Sequence, residues 1–366
     1  MGEPIRVLHV ITGLSSGGAE SFIMNMYRNI DHDKVQFDFL LRSNDNRFAD
    51  ELKDNGSRVY YTASFPKHAV KNALEVKRFF QLHAYDIVHV HGNALLYMTA
   101  LEEAKRVGVP CRIMHSHNSS MANLKALPIH NFNKKRIHSL ATDCFACSDE
   151  AGKWMFDSDY RVIHNAVDTQ KFRFDEKARN ELRAEWSIPK DALVIGHIGR
   201  FWNQKNHPFL IKVFKKVQEV NPDAYLVLIG DGGNKTDIEK MVSDLNLDNR
   251  VVFAGVRADV HKALSAFDVF AFPSIYEGLS VVVMESQANG LPVICSEATS
   301  TEALFSEASV QISLEKGVEV WRDAILAAAG KRYDAESAII AAGYDICHEA
   351  KKLQDFYCCV NKRADL

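Results

Sequence analysis

The sequence predicts an α/β protein of two Rossmann-like domains facing each other across a cleft. Three observations lead there. Apolar runs such as Ile5 to Ile11 are nearly continuous, the mark of parallel strands buried on both faces. These runs alternate with amphipathic helical stretches, as a doubly wound sheet requires. The alternation lapses once, between Ile163 and Lys190, and then begins again, and a length of 366 residues suits two cores of ordinary size.

In the first series Ile5–Ile11 leads into a helical pattern from Ala19 to Ile30. Val35–Leu41, Arg58–Thr62, Asp86–Val90, Cys111–Ser116 and Asp143–Cys147 read as further strands, with helical patterns at Phe48–Asn55, Val70–His83 and Leu95–Val107. The polar stretch 163–190, with His164-Asn-Ala-Val-Asp168 and Ser187-Ile-Pro189, reads as a linker. A second series follows: Leu193–Ile198, a helix from Pro208 to Glu219, Tyr225–Ile229, a helix near Asp237–Asp244, Val251–Ala254, Val260–Phe267, Val269–Phe272 and Val293–Cys295. The expected domains are therefore residues 1–165 and 166–343, with a last helical stretch, about 344–366, crossing back onto the first domain.

Composition narrows the function. A hydrophobic fraction of 47% fills two cores, and a formal net charge of −3 argues against nucleic acid as a partner. The seven cysteines are odd in number and scattered, as in a reduced, cytosolic protein. Cys144 and Cys147 fall in a predicted strand, on opposite faces, whereas redox pairs sit at a helix N-terminus. The chain enters its first strand directly and holds no apolar run approaching ~18 residues, so a cytoplasmic location is expected, with peripheral membrane contact at most.

The most informative stretch runs from Phe272 to Glu285, where a strand passes through a loop into a helix stopped by Gly290 and Pro292. Ser280 is expected to cap that helix, whose first-turn N–H groups then face the loop as an anion site. Glu277 and Glu285 flank the site, where carboxylates suit hydroxyl donors such as a sugar or ribose. Gly199-Arg-Phe-Trp-Asn-Gln-Lys205 follows the first strand of the second series, and Gly230-Asp-Gly-Gly233 follows the next. Three loops thus converge on one sheet edge, with Arg200 and Lys205 placed to neutralise a diphosphate.

In the first domain, Thr12-Gly-Leu-Ser-Ser-Gly-Gly-Ala-Glu20 is a glycine loop at a helix N-terminus, without the spacing of a dinucleotide fingerprint or a P-loop. Gly17 and Gly18 allow close approach of backbone to an anion. His89, His91, His115 and His117 lie near one sheet edge, but no carboxylate or thiolate at ligand spacing completes a metal set. His117, at the strand tip, is the one expected to hydrogen-bond a polar ligand. Asp31-His-Asp33 and Asp157-Ser-Asp159 both precede strands, on the edge opposite the cleft, so no metal is implied.

Gly17-Gly-Ala-Glu20, Gly199-Arg200 with Lys205, Asn165-Ala-Val-Asp168, and Pro273-Ser with Glu277-Gly-Leu-Ser and Glu285 together resemble the retaining glycosyltransferases of GT-B architecture, in particular family four. The resemblance covers nearly the whole chain, and the opening also resembles bacterial exopolysaccharide and capsule transferases. It implies transfer of a sugar from a nucleotide diphosphate, a UDP-sugar being favoured, with no further cofactor. The acceptor it implies is a saccharide or a lipid-linked saccharide. By the family's pattern Arg200 and Lys205 bind the donor diphosphate and Glu277 contacts the donor sugar, while Gly199 and Gly230 belong to the converging loops expected to bind the donor. Gly278, Leu279 and Ser280 offer N–H groups to phosphate, Glu285 holds the ribose, His117 lies near the transferred sugar, and Gly17 and Gly18 face phosphate and acceptor. Ala166 stands where the family often has glycine, which touches hinge geometry rather than chemistry. A nucleotide-sugar 2-epimerase and a non-catalytic nucleotide-sugar-binding subunit are the alternatives.

Ala126 to Leu140 mixes Lys134, Lys135 and Arg136 with Ile129, Phe132, Ile137 and Leu140. At helical spacing the apolar residues form one stripe with the cations beside it, suited to packing on the domain's own sheet or to an anionic membrane surface.

Overall fold

A computed structural model describes residues 3–15, 17–121, 123–277 and 279–364, the side chains of 361–364 excepted. The chain forms two compact units, one reaching Ala166 and joined by the helix from Ile346, the other running from Val167 to Asp345.

The first unit holds a seven-stranded sheet of β1 (Ile5–Ile11), β2 (Val35–Leu41), β3 (Val59–Tyr61), β4 (Ile87–Gly92), β5 (Cys111–Ser116), β6 (Asp143–Ala146) and β7 (Arg161–Val162). Their order is β3-β2-β1-β4-β5-β6-β7, with every neighbouring pair parallel. β2 is buried at all seven positions, which is why its sequence does not alternate. The helix Ile346–Ala364 packs on the helix Gly18–Asn29 and on β1 and β2, its Leu353 and Tyr357 fully buried in that core.

The second unit holds β8 (Val194–Ile198), β9 (Tyr225–Ile229), β10 (Val251–Gly255), β11 (Val269–Phe272), β12 (Val293–Ser296) and β13 (Ser309–Ile312), in the order β10-β9-β8-β11-β12-β13 and all parallel. The sequence pattern missed β7 and β13. Each is an edge strand of two or four residues, too short and too exposed to carry an apolar run.

The stretch expected to be a linker is structured. It contains the helix Glu176–Glu185, within the second unit. Apolar residues contribute little to this helix, and arginines anchor it instead. Arg183 is buried, donating to the carbonyls of Ala266, Lys190 and Ala192 and to Asp268, while Arg179 donates to the other Asp268 oxygen at 2.6 Å. With only Ala178 and Leu182 buried among its apolar residues, the helix carries a short hydrophobic period that is easily missed.

The expected stripe at 129–140 is broken. One helix spans Leu127–Lys134 and a second, short one Ile137–Leu140. The first buries polar residues: His130 Nδ1 accepts from the Leu95 amide and Asn133 Nδ2 donates to the Leu95 carbonyl. Leu95 has no helical or strand partner because the helix expected from it begins at Thr99, and these two side chains satisfy its backbone. Ile129 and Phe132 are turned outward, 55% and 63% exposed, whereas Ile137 and Leu140 are buried. Lys134 caps the helix Asp149–Phe156, donating to the carbonyls of Lys153 and Trp154 and pairing with Asp157.

Candidate active site

In the second unit the tips of β8, β9 and β11 are joined backbone to backbone. Gly199 donates to Ile229 O at 2.9 Å, and Phe201 to Asp231 O at 3.0 Å. Gly230 has φ +141, and a Cβ there would collide with Gly199 O, so only glycine lets the two tips meet. The 3-10 turn Asn203–Lys205 is stitched to the loop after β11: Ile275 N donates to Gln204 O at 2.8 Å, and Gln204 Nε2 to Tyr276 O at 2.9 Å.

These bonds set Lys205 against Glu277. Nζ lies 2.6 Å from Oε1 with both side chains largely buried, and 4.5 Å from the Phe272 ring centroid. The sequence reading sent Lys205 to a diphosphate and Glu277 to a sugar as separate groups. The fold makes them one unit, because a partly desolvated ammonium takes the nearest carboxylate. Arg200, by contrast, is exposed. Leu279 is half-buried, and Gly278 lies outside the described residues.

The helix Val281–Ala288 begins at Ser280, but the expected side-chain cap is absent. Ser280 takes the N-cap by backbone conformation alone, φ −85 and ψ 102, and its carbonyl accepts from Val283 and Met284. The β-branched start packs Val283 into the core beside the buried Ser280, which leaves the hydroxyl off the cap position. Glu285, one turn on, is half-buried, and burial pushes its carboxyl up to about 8, with Lys171 pulling the other way. It is mostly protonated at neutral pH.

In the first unit the loop after β1 is pinned to the segment after β2, with Leu14 bridged to Asn46 and donating to Asp45 O at 2.8 Å. Gly17 is the N-cap of the helix Gly18–Asn29, and the Glu20 carboxylate folds back against it, so that a Cβ at Gly17 would collide with Glu20 Oε2 whereas one at Gly18 would meet nothing within 4 Å.

His117 ends a row of imidazoles that the sequence only partly revealed. His91 Nδ1 lies 2.8 Å from His117 Nε2, and His91 Nε2 lies 2.9 Å from His9 Nδ1. A second row links the Tyr357 hydroxyl to His89 Nδ1 at 2.6 Å and His89 Nε2 to His115 Nδ1 at 3.1 Å. His9 escaped the reading because it stands alone in its strand, but register makes it the neighbour of His89, just as His91 neighbours His115. Burial pushes His117 and His9 down to about 3 and the other three well below the usual imidazole range, so all five are neutral. His9, His89 and His91, and again His91, His115 and His117, each bring three ring nitrogens within 4.8 Å. Seven ring nitrogens are already engaged with each other or with Tyr357, so a divalent ion would have to break those bonds, and neither triad among the described residues brings an anionic ligand to offset its charge.

Residues 16–171 match the family described as Glycosyltransferase Family 4, and residues 178–341 match Glycosyl transferases group 1. The chain is 35% identical, over 96% of its length and 96% of the relative's, to the putative glycosyltransferase EpsF of Bacillus subtilis. It is 24% identical, over 88% and 89%, to the Escherichia coli UDP-Gal:alpha-D-GlcNAc-diphosphoundecaprenol alpha-1,3-galactosyltransferase. Among solved structures, Anabaena HepE in complex with UDP-glucose has the same fold, with a TM-score of 0.76 at 18% identity, covering 96% of this chain and 99% of that one. No helix among the described residues is long and apolar enough to cross a membrane.

The Lys205–Glu277 pair is expected to be energetically coupled. In a double-mutant cycle of Lys205→Met and Glu277→Gln, followed by thermal unfolding of the ligand-free protein, the coupling should be about 0.5–3 kcal/mol. Strict additivity would show two independent side chains.

Proposed function

Because the chain belongs to the glycosyltransferases of family four, we propose that it moves a sugar from a nucleotide-diphosphate sugar, a UDP-sugar by preference, to a saccharide or lipid-linked saccharide acceptor. The transfer retains anomeric configuration, needs no metal ion and serves surface polysaccharide synthesis at the cytoplasmic side of the membrane. The observation that carries this reading is the stitching of the loops after β8 and β11, which holds Lys205 and Glu277 beside the start of the helix Val281–Ala288. The E. coli relative's name gives a UDP-sugar donor and a diphosphate-linked lipid acceptor, and HepE binds UDP-glucose.

In the proposed reaction the bond from the anomeric carbon to the diphosphate oxygen breaks as the acceptor oxygen bonds to that carbon, negative charge builds on the leaving phosphate, and that phosphate takes the acceptor hydroxyl's proton. Arg200, Lys205 and the amides at 279–282 meet that charge, the preorganised stabilisation that usually dominates such catalysis. Glu277 holds Lys205 in place and accepts from a donor-sugar hydroxyl, and Glu285 takes the ribose hydroxyls. Gly199 and Gly230 shape the diphosphate loop. Gly17, Gly18 and His117 lie on the acceptor side, where a neutral His117 orients a hydroxyl rather than titrating.

Purified protein given UDP-sugars and saccharide acceptors in excess EDTA should form a glycoside of the donor's anomeric configuration, read by NMR. Arg200→Ala should raise the barrier by about 2–4 kcal/mol with the fold intact. Loss of turnover in chelator that Mn²⁺ restores would remove metal independence, and an epimerised sugar released without acceptor would replace transferase with epimerase.

Glu285 supplies a pH test. Ribose hydroxyls donate best to a carboxylate, so binding favours the ionised form. UDP affinity should rise with pH up to about 8 and level off above it, with proton release on binding. Glu285→Gln should bind more weakly and lose that pH dependence, and a wild-type affinity flat across this range would contradict the ribose role.

The proposed membrane contact would use the outward face near the helix Leu127–Lys134. Leu124, Ile129 and Phe132 are 71%, 55% and 63% exposed, with Lys125 and Lys135 exposed beside them. The protein should co-sediment with anionic vesicles at low salt, and Phe132→Ser with Ile129→Ser should abolish this. Equal recovery with neutral vesicles, or no effect of the double substitution, would place the contact elsewhere.

A further inference from the structure

A second set of polar groups gathers at the tips of four neighbouring strands of the first sheet. Arg42 follows β2, Thr12 follows β1, Thr62 follows β3, and Tyr97 lies in the segment after β4. Arg42 is 8% exposed. Its guanidinium stands 3.9 Å from the Tyr97 ring centroid, and its Nη2 donates to Thr12 Oγ1 at 3.0 Å. Nε is buried without a partner, and among the described residues no carboxylate pairs with this arginine. Asn72 Oδ1 is likewise buried without a partner, the Tyr97 hydroxyl lies against the Asn72 side chain, and Asn72 Nδ2 reaches Thr62 Oγ1 and Ala63 O.

The same protein shows what a structural buried arginine looks like. Arg183 directs its donors to three carbonyls and to Asp268, so its charge and its N–H groups are met within the fold. Among the described residues Arg42 makes a single side-chain hydrogen bond from five N–H donors. A guanidinium desolvated without an anion is costly to fold around, and such local rule-breaking marks a binding group. Its place fits as well. Open parallel sheets take ligands at the carboxyl ends of their strands where the strand order reverses, here between β1 and β4, and Arg42 sits one strand from that point.

We propose that Arg42 binds a phosphoryl group of the acceptor, the phosphate or diphosphate through which a saccharide is joined to its lipid carrier. This rests on the lipid-linked acceptor reading above and assigns the recognition to the first unit. The guanidinium fork matches two phosphoryl oxygens at once, and stacking on Tyr97 holds its plane. Burial lowers the pKa of Arg42, but a guanidinium keeps its charge at any working pH.

The test uses the full chain with UDP in excess, so that nucleotide sites are filled, and farnesyl diphosphate as the probe, followed by calorimetry. The wild type should bind farnesyl diphosphate and not farnesol. Arg42→Gln should weaken that binding by about tenfold or more, and Arg42→Lys, which keeps the charge but not the fork, should fall between. UDP affinity should be the same in all three. Ligand-free Arg42→Gln should melt no lower than the wild type, since the native charge is so poorly met inside the protein. Equal probe binding by wild type and Arg42→Gln, or none by the wild type, overturns the site. So does a variant that melts several degrees lower with unchanged probe affinity, because Arg42 is then structural. A wild type that binds the probe through Arg42 but transfers sugar from no donor would uphold this site and overturn the proposed activity.

Discussion

Asp268 is the charge around which the second unit is assembled. One oxygen takes Arg179, and the other takes Arg183 and the Val194 amide. A carboxylate this deep is tolerated only with partners of this quality, and losing one side of such a cluster typically costs about 3–5 kcal/mol. The contact has a geometric consequence. Asp268 directly precedes β11 and Val194 opens β8, so the bond between them sets the register in which Val269 pairs with Ile195. Both strands then end together, and the loops that carry Lys205 and Glu277 emerge side by side.

The first unit handles polarity differently. Five imidazoles lie on one side of its sheet, in contact with Phe22, Phe37 and Phe145, and burial keeps them neutral. Neutral rings can alternate as donor and acceptor along each row, while the outer nitrogens, His9 Nε2, His115 Nε2 and His117 Nδ1, stay buried without a partner. His117 therefore reaches the strand tip already oriented by His91. The same tip region holds Arg42, so one edge of the sheet combines an uncharged row with an uncompensated cation.

Much of the site was legible because it sits on loops after buried parallel strands, and those strands are the plainest signal in the chain. Gly199, Gly230 and Glu277 each follow such a run, and the loops that bear them do meet. Glu285 was legible as a carboxylate one turn into a helix. Its half-buried setting, which moves its proton affinity into the physiological range, was not. The basic stretch shows the opposite failure. Hydrophobic spacing put Ile129 and Phe132 on one stripe with Ile137 and Leu140, suited to the sheet or to a membrane, but Leu95 needed backbone partners, and His130 with Asn133 took the inner face.

The sequence by itself determined the strand-helix alternation, the two-unit architecture and which loops follow the buried strands, because these follow from burial pattern and short-range turn chemistry. Only the tertiary structure decided the pairings. His9 stands beside His89, Lys205 against Glu277, and Arg183 on Asp268, while Arg42 is buried with no carboxylate among the described residues. Each of these depends on which groups, tens of residues apart in the chain, share one desolvated volume, and that is a property of packing that no local pattern encodes.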